Sequence, residues 1–152
     1  MIEIKNLSKH FGPKVAVDNL SLSVQKGEVL GFLGPNGAGK STAMRMITGY
    51  LPPSAGTVSV GGADIVDSPN VAKKKMGYLP ESAPLYADMT VTSFLSFVAE
   101  LRGMNGEAKK AAVNKAIETC FLQKVRHQAL DTLSKGYKHR TCLAQADRKS
   151  VV

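Results

Sequence analysis

An α/β fold is predicted by three observations. Residues 2–33 read as strands, with apolar and polar side chains alternating at 2–5 and 20–24, the period of half-buried strands. Residues 29–33 are apolar throughout and run straight into a glycine-rich loop. From residue 88 onward the apolar period becomes helical.

Each element follows in order. Ile2 and Ile4 alternate with Glu3 and Lys5, and Leu20, Leu22 and Val24 alternate with serines, which predicts antiparallel strands with one exposed face. Val29-Leu30-Gly31-Phe32-Leu33 predicts a central parallel strand covered on both sides. A short helix through Met44 and Ile47 should stop at Gly49 and Pro52-Pro53. Thr57-Val58-Ser59-Val60, Gly61-Gly62 and Ala63-Asp64-Ile65 predict a hairpin with a two-residue loop. The run Met76-Gly77-Tyr78-Leu79, ending at Pro80, predicts a second core strand. Val91, Phe94, Leu95 and Val98 form a helical stripe that Leu101 continues and Gly103 closes. Val113, Ala116, Ile117, Cys120 and Phe121 form the apolar face of a second helix, with Lys109, Lys110 and Lys115 in water. A third helix follows residues 133–137 and reaches Ala146.

Composition agrees with one domain, or most of one. The chain has 152 residues, 43% hydrophobic and 21% charged, so disordered and collagen-like chains are excluded and a core should form. No run of 18 apolar residues exists to span a membrane, and residues 1–6 alternate apolar with charged, unlike an export segment. A cytosolic setting is expected. Cys120 and Cys142 lack Cys-x-x-Cys spacing and read as reduced core residues. Twenty Lys and Arg face 12 Asp and Glu, for a charge of +8. Lys73-Lys74-Lys75 and the lysines from 109 to 124 fall on predicted helices, where they read as solvated faces. Few aromatics are interleaved with them, so no nucleic-acid partner is expected.

The chemistry resides in Gly34-Pro35-Asn36-Gly37-Ala38-Gly39-Lys40-Ser41, which satisfies G-x-x-x-x-G-K-[ST] between a predicted strand and a predicted helix. One start position matches by chance about 4 × 10⁻⁵ of the time at ordinary residue usage. Glycines let backbone N–H groups turn inward around phosphates, and the helix N-terminus adds partial positive charge. Lys40 should reach the β- and γ-phosphates, Ser41 should ligate Mg²⁺, and Thr42 should hydrogen-bond the α-phosphate.

Three further segments narrow the class. Leu133-Ser134-Lys135-Gly136-Tyr137 resembles the LSGGQ signature of ATP-binding cassette proteins, and Ser134 lies 94 residues after Lys40, an interval that suits a transporter ATPase. Residues 78–86 resemble the family's Q-loop, with Glu81 where many members carry glutamine, and residues 7–12 resemble its adenine-stacking segment, with the ring at Phe11. The chain is thus identified as similar to the ATP-binding subunits of ABC transporters of the export or gliding-motility type. The resemblance implies an α/β P-loop NTPase with a small antiparallel β subdomain and a helical subdomain. It implies ATP and Mg²⁺ as cofactors, held by Phe11 and residues Gly34, Pro35, Asn36, Gly37, Ala38, Gly39, Lys40, Ser41 and Thr42. Glu81 would supply an oxygen to Mg²⁺ or to water, a catalytic role. Leu133, Ser134, Lys135, Gly136 and Tyr137 would contact the ATP of an opposite subunit, although Lys135 replaces a glycine and Tyr137 a glutamine. The implied partners are a membrane-spanning permease and a second ATP-binding subunit, in a homo- or heterodimer. The implied location is cytoplasmic, peripheral on the inner face of the cell membrane through the permease.

The family's Walker B strand, catalytic Glu, D-loop and switch His do not follow, and His10, His127 and His139 precede the place where the switch residue would come. The expectation is an N-terminal fragment with a truncated core sheet: residues 1–146 form a partial ABC ATP-binding domain, inactive alone although the parent is an ATPase coupling hydrolysis to transport. Glu81, bracketed by Pro80 and Pro84, is expected to face the nucleotide site. Asp147-Arg148-Lys149-Ser150-Val151-Val152 abandon the helix, and their back-translation matches a sequencing-adapter read-through ending in a stop codon, so a non-native tail is expected. Two other functions fit the same residues. One is a soluble ABC-superfamily ATPase acting on ribosome or nucleic acid, and the other is a non-enzymatic nucleotide-binding fragment.

Overall fold

Ile2–Phe11 (β1) and Lys14–Val24 (β2) pair antiparallel from Ile2↔Val24 to Phe11↔Lys14. The computed structural model describes residues 1–80 and 85–146, so Glu81 and the tail 147–152 lie outside the described residues. Ala55–Val60 (β3) takes the other edge of β1, and Ala63–Asp64 (β4) pairs with β3, in the order β2-β1-β3-β4. Strict alternation along β1 would carry Leu7 to the solvent face, because it lies three residues from Ile4. Asn6 prevents this by adopting a left-handed φ of 51° and shifting the register, so both Ile4 and Leu7 are buried. Its backbone N–H donates to Ser21 Oγ at 2.8 Å, which satisfies the amide released from the ladder. Gly61 and Gly62 form the β3–β4 loop with φ of 56° and 81°, the pair of positive angles that a type I′ hairpin requires.

Lys40–Ile47 (α1) and Pro69–Lys73 (α2) complete the first compact unit, Met1–Met76. Its core unites Ile4, Leu7 and Val58 of the sheet with Met46 and Ile47 of α1 and Ala72 of α2.

The second unit begins at Gly77 and contains Val91–Leu101 (α3), Gly106–Thr119 (α4) and Lys135–Ala146 (α5). Single 3₁₀ turns at Gln123–Val125 and Leu130–Thr132 join α4 to α5. Phe94, Leu95, Val98, Ile117, Leu122 and Leu130 lie at the centre of its core. Thr90 caps α3 by accepting a hydrogen bond from Ser93 N at 3.1 Å. Thr90→Ala is expected to cost about 1 kcal/mol, read as a lower urea midpoint at unchanged slope. Cys120 and Cys142 are both buried, and burial pushes the Cys142 thiol up.

Three expectations are corrected. Residues 29–33 are not a central strand: they carry no strand assignment, Val29 is 96% exposed and Leu33 93%. Residues 76–79 are not a core strand either, and Leu79 is exposed. A parallel strand takes its hydrogen bonds from neighbours and its cover from both faces. The described sheet is antiparallel throughout and has no strand paired with either run. Thirdly, Leu101 and Phe121 are exposed and do not join the helical core. At about 100° per residue Leu101 falls roughly 90° off the axis of the buried α3 residues Val91, Phe94, Leu95, Val98 and Ala99. Phe121 follows the last turn of α4 with φ 55°, its N–H bonded to Glu118 O while Leu122 N–H bonds Ile117 O. That is a Schellman ending, which turns Phe121 outward and Leu122 into the core.

Candidate functional site

The glycine-rich loop belongs to the first unit. Pro35 O accepts from Ala38 N–H at 3.2 Å, and Gly37 sits at the third position of this turn with φ 86°, the geometry of a type II turn. Gly39 is the N-cap of α1 with φ 85° and ψ 2°. A Cβ on Gly39 would stand 2.2 Å from the backbone oxygen of Ala16, so here the loop is pressed directly against β2. Only glycine satisfies both the dihedral and the contact.

From that point the chain enters α1, whose first helical bond runs from Ala43 N–H to Gly39 O at 2.8 Å. The N–H groups of the first turn therefore have no acceptor within the helix. No side chain caps this end and no acidic residue stands in its first turn. Its partial positive charge is left for an anion. Lys40 Nζ curls back to donate to Gly34 O and to Pro35 O, the latter at 2.7 Å, so the ammonium closes over the mouth of the loop. Ser41 is exposed and Thr42 half-buried beside it.

An open cavity of about 370 Å³ adjoins the loop, bounded by Val15, Ala16 and Val17 of β2, by Phe32, and by residues 37–39. Phe11 is not on its wall. It stands half exposed at the end of β1, with Lys9 Nζ 5.4 Å from its ring centre. Sequence reasoning missed Val15, Val17 and Phe32 as site residues. Val15 and Val17 fall in a stretch that reads only as strand, and Phe32 lies within the run expected to be buried.

The signature-like segment belongs to the second unit. Leu133 is buried, while Ser134, Lys135 and Gly136 are exposed. Ser134 O accepts from Lys138 N–H at 2.9 Å as α5 begins, and Tyr137 packs on the core with Arg140 5.5 Å from its ring centre. Lys138 Nζ donates to Asp131 O at 2.9 Å, tying α5 to the preceding 3₁₀ turn. His10, His127 and His139 are all exposed.

The ABC transporter family model matches residues 17–149. The chain belongs to the ABC transporter family. It is 38% identical over 144 residues to the probable multidrug ABC transporter ATP-binding protein YbhF of Escherichia coli (strain K12), covering 95% of this chain and 25% of that protein. It is 38% identical over 147 residues to the linearmycin resistance ATP-binding protein LnrL of Bacillus subtilis (strain 168), covering 96% and 47%. The chain thus spans a quarter to about half of these ABC relatives. A solved ATP-binding subunit of an ABC transporter superposes with a TM-score of 0.85 at 26% identity, over 95% of this chain and 60% of that one. The ATP-binding cassette MJ0796, solved as a post-hydrolysis dimer with ADP and Pi, superposes at 0.83 with 23% identity and supports the ABC ATPase fold. ABC ATPases bind nucleotide and generally hydrolyse ATP, and their ATP-binding subunits typically dimerise and pair with permeases. Among the described residues no helix is long and apolar enough to cross a membrane.

Proposed function

We propose that this ABC-family chain is a partial ATP-binding domain, residues 1–146, from the ATP-binding subunit of an ABC transporter whose intact form couples ATP hydrolysis to transport. The observation that carries the reading is the junction at Gly39, where a left-handed glycine pressed on β2 delivers uncapped N–H groups and Lys40 to one loop mouth. Residues 34–39 would wrap the phosphates with backbone amides, Lys40 would exchange its two carbonyl partners for the β- and γ-phosphates, and Thr42 would hold the α-phosphate. The exposed Ser41 hydroxyl in the first turn of α1 fits Mg²⁺, a hard cation that takes oxygen ligands, with phosphate and water oxygens completing its shell. When bound, Mg²⁺ neutralises charge on the β- and γ-phosphates.

Phe11 would offer the adenine a ring face, and Glu81, by its resemblance to the Q-loop residue, would supply an oxygen to Mg²⁺ or to water. Residues 133–137 would meet the ATP of a second subunit, through Ser134 and the start of α5. The permease would hold the assembly on the inner face of the cell membrane. Turnover by this chain alone is not expected. Residues 29–33 feed the loop from an exposed, unpaired run, so the entropy of ordering the loop opposes binding.

Titration calorimetry with MgATP and a phosphate-release assay test the reading. Weak binding without turnover is expected, and Lys40→Ala should weaken it roughly 10- to 100-fold, the loss of charge-assisted hydrogen bonds. Equal binding by the variant would refute the phosphate-loop assignment. Lys40-dependent turnover at the rate of a full cassette would refute the inactivity of the isolated chain.

A further inference from the structure

Of the six asparagines in the chain, two precede glycine: Asn36-Gly37 and Asn105-Gly106. Asparagine is thermolabile, and a following glycine removes the Cβ that otherwise hinders attack on its side chain. The two pairs stand in different surroundings. Asn105 is the N-cap of α4: its carbonyl accepts from Lys109 N–H at 3.3 Å, its Nδ2 lies 3.5 Å from Gly103 O, and Gly106 opens the helix. Asn36 and Gly37 occupy the two central positions of the exposed type II turn, whose hydrogen bond joins Pro35 and Ala38 and leaves the Gly37 N–H unused. Among the described residues neither the Asn36 amide nor the Gly37 N–H has a hydrogen-bond partner.

We infer that Asn36-Gly37 is a spontaneous deamidation site that places a carboxylate inside the anion-binding loop and so switches the loop off. Solvent base removes the Gly37 amide proton, and the nitrogen attacks Cγ of Asn36. The bond from Cγ to Nδ2 breaks, ammonia leaves, and a five-membered succinimide closes. Water then opens the ring at one of its two carbonyls, leaving aspartate or isoaspartate at position 36. The net change is one water consumed and one ammonia released, with no oxidant or second reactant.

Either product repels phosphate. The new carboxylate also lies next to Pro35, whose carbonyl already holds Lys40 Nζ, so it can capture the ammonium as an ion pair. Isoaspartate further lengthens the backbone by one methylene, three residues before the point where Gly39 has no room to shift against Ala16 O. The inhibitory consequence rests on the phosphate-loop reading, whereas the reactivity of Asn36 does not. A bound nucleotide that engages the Gly37 amide would slow the first step.

The experiment is incubation of the purified chain in mildly alkaline buffer, with and without MgATP, followed by peptide mass mapping and isoaspartate methyltransferase labelling. Conversion at Asn36 several-fold faster than at Asn105, slowed by MgATP at position 36 alone, is expected. An Asn36 as stable as Asn105 in the nucleotide-free chain would overturn the site. Conversion that MgATP leaves unchanged would support the site while counting against nucleotide in the loop. In parallel, Asn36→Asp should bind MgATP about tenfold or more weakly than the neutral Asn36→Ser, as expected for a like charge beside phosphates. Equal affinity of the two variants would overturn the switch.

Discussion

Gly39→Ala is expected to abolish MgATP binding, while Gly37→Ala only weakens it. The two glycines have nearly the same left-handed φ, 85° and 86°, so each pays the roughly 1–2 kcal/mol that a Cβ costs there. They differ in space. A Cβ at position 37 meets nothing within 4 Å, whereas at position 39 it lands 2.2 Å from Ala16 O and 3.2 Å from Val17 Cγ2. The first of these atoms is backbone in β2, between Val15 and Val17, which pair with His10 and Lys9 of β1, and it cannot rotate away as a side chain could. The loop must lift from β2, taking the start of α1 with it and dispersing the amides that converge on its mouth. Titration calorimetry on both variants measures the difference. Equal losses would mean that the contact with β2 has no part in shaping the site.

Phe94→Ala should cost the second unit about 3–5 kcal/mol, a large share of the 5–15 kcal/mol that a domain usually commands. Phe94 is 1% exposed and among the largest fully buried side chains, with the Tyr86 ring centre 6.2 Å away. Removing the ring leaves a cavity between helices whose other large residues, Leu95 and Ile117, are themselves fully buried and cannot collapse into it freely. Hydrogen exchange of the α3, α4 and α5 amides checks this against Leu101→Ala, which removes a 72% exposed side chain and should stay within about 0.5 kcal/mol. A Phe94→Ala loss as small as the Leu101→Ala loss would show that the helical core repacks around the gap.

Local signals were legible wherever neighbouring residues were sufficient cause. The helix ends at Gly49 and Gly103 follow from the ease with which glycine takes a left-handed φ, and both residues adopt one, at 71° and 84°. Phe121 performs the same role after α4, and nothing in an aromatic side chain announces it. Asn6 likewise breaks the alternation of β1, a shift that only the pairing with β2 and β3 reveals. Thr90 as the cap of α3 is a local signal too, standing immediately before the apolar stripe.

By itself the sequence determined the antiparallel strands, the Gly61-Gly62 hairpin, the helical unit, the glycine-rich loop and the ABC resemblance, because each rests on spacing and backbone freedom within a short span. Only the tertiary structure decided that residues 29–33 and 76–79 are not strands, that Leu101 and Phe121 face out, and that Gly39 is locked against Ala16. The physical reason is plainest for the two apolar runs. An apolar run states what it would bury, but burial and strand pairing require a partner surface, and that partner is a property of the folded chain and not of the run.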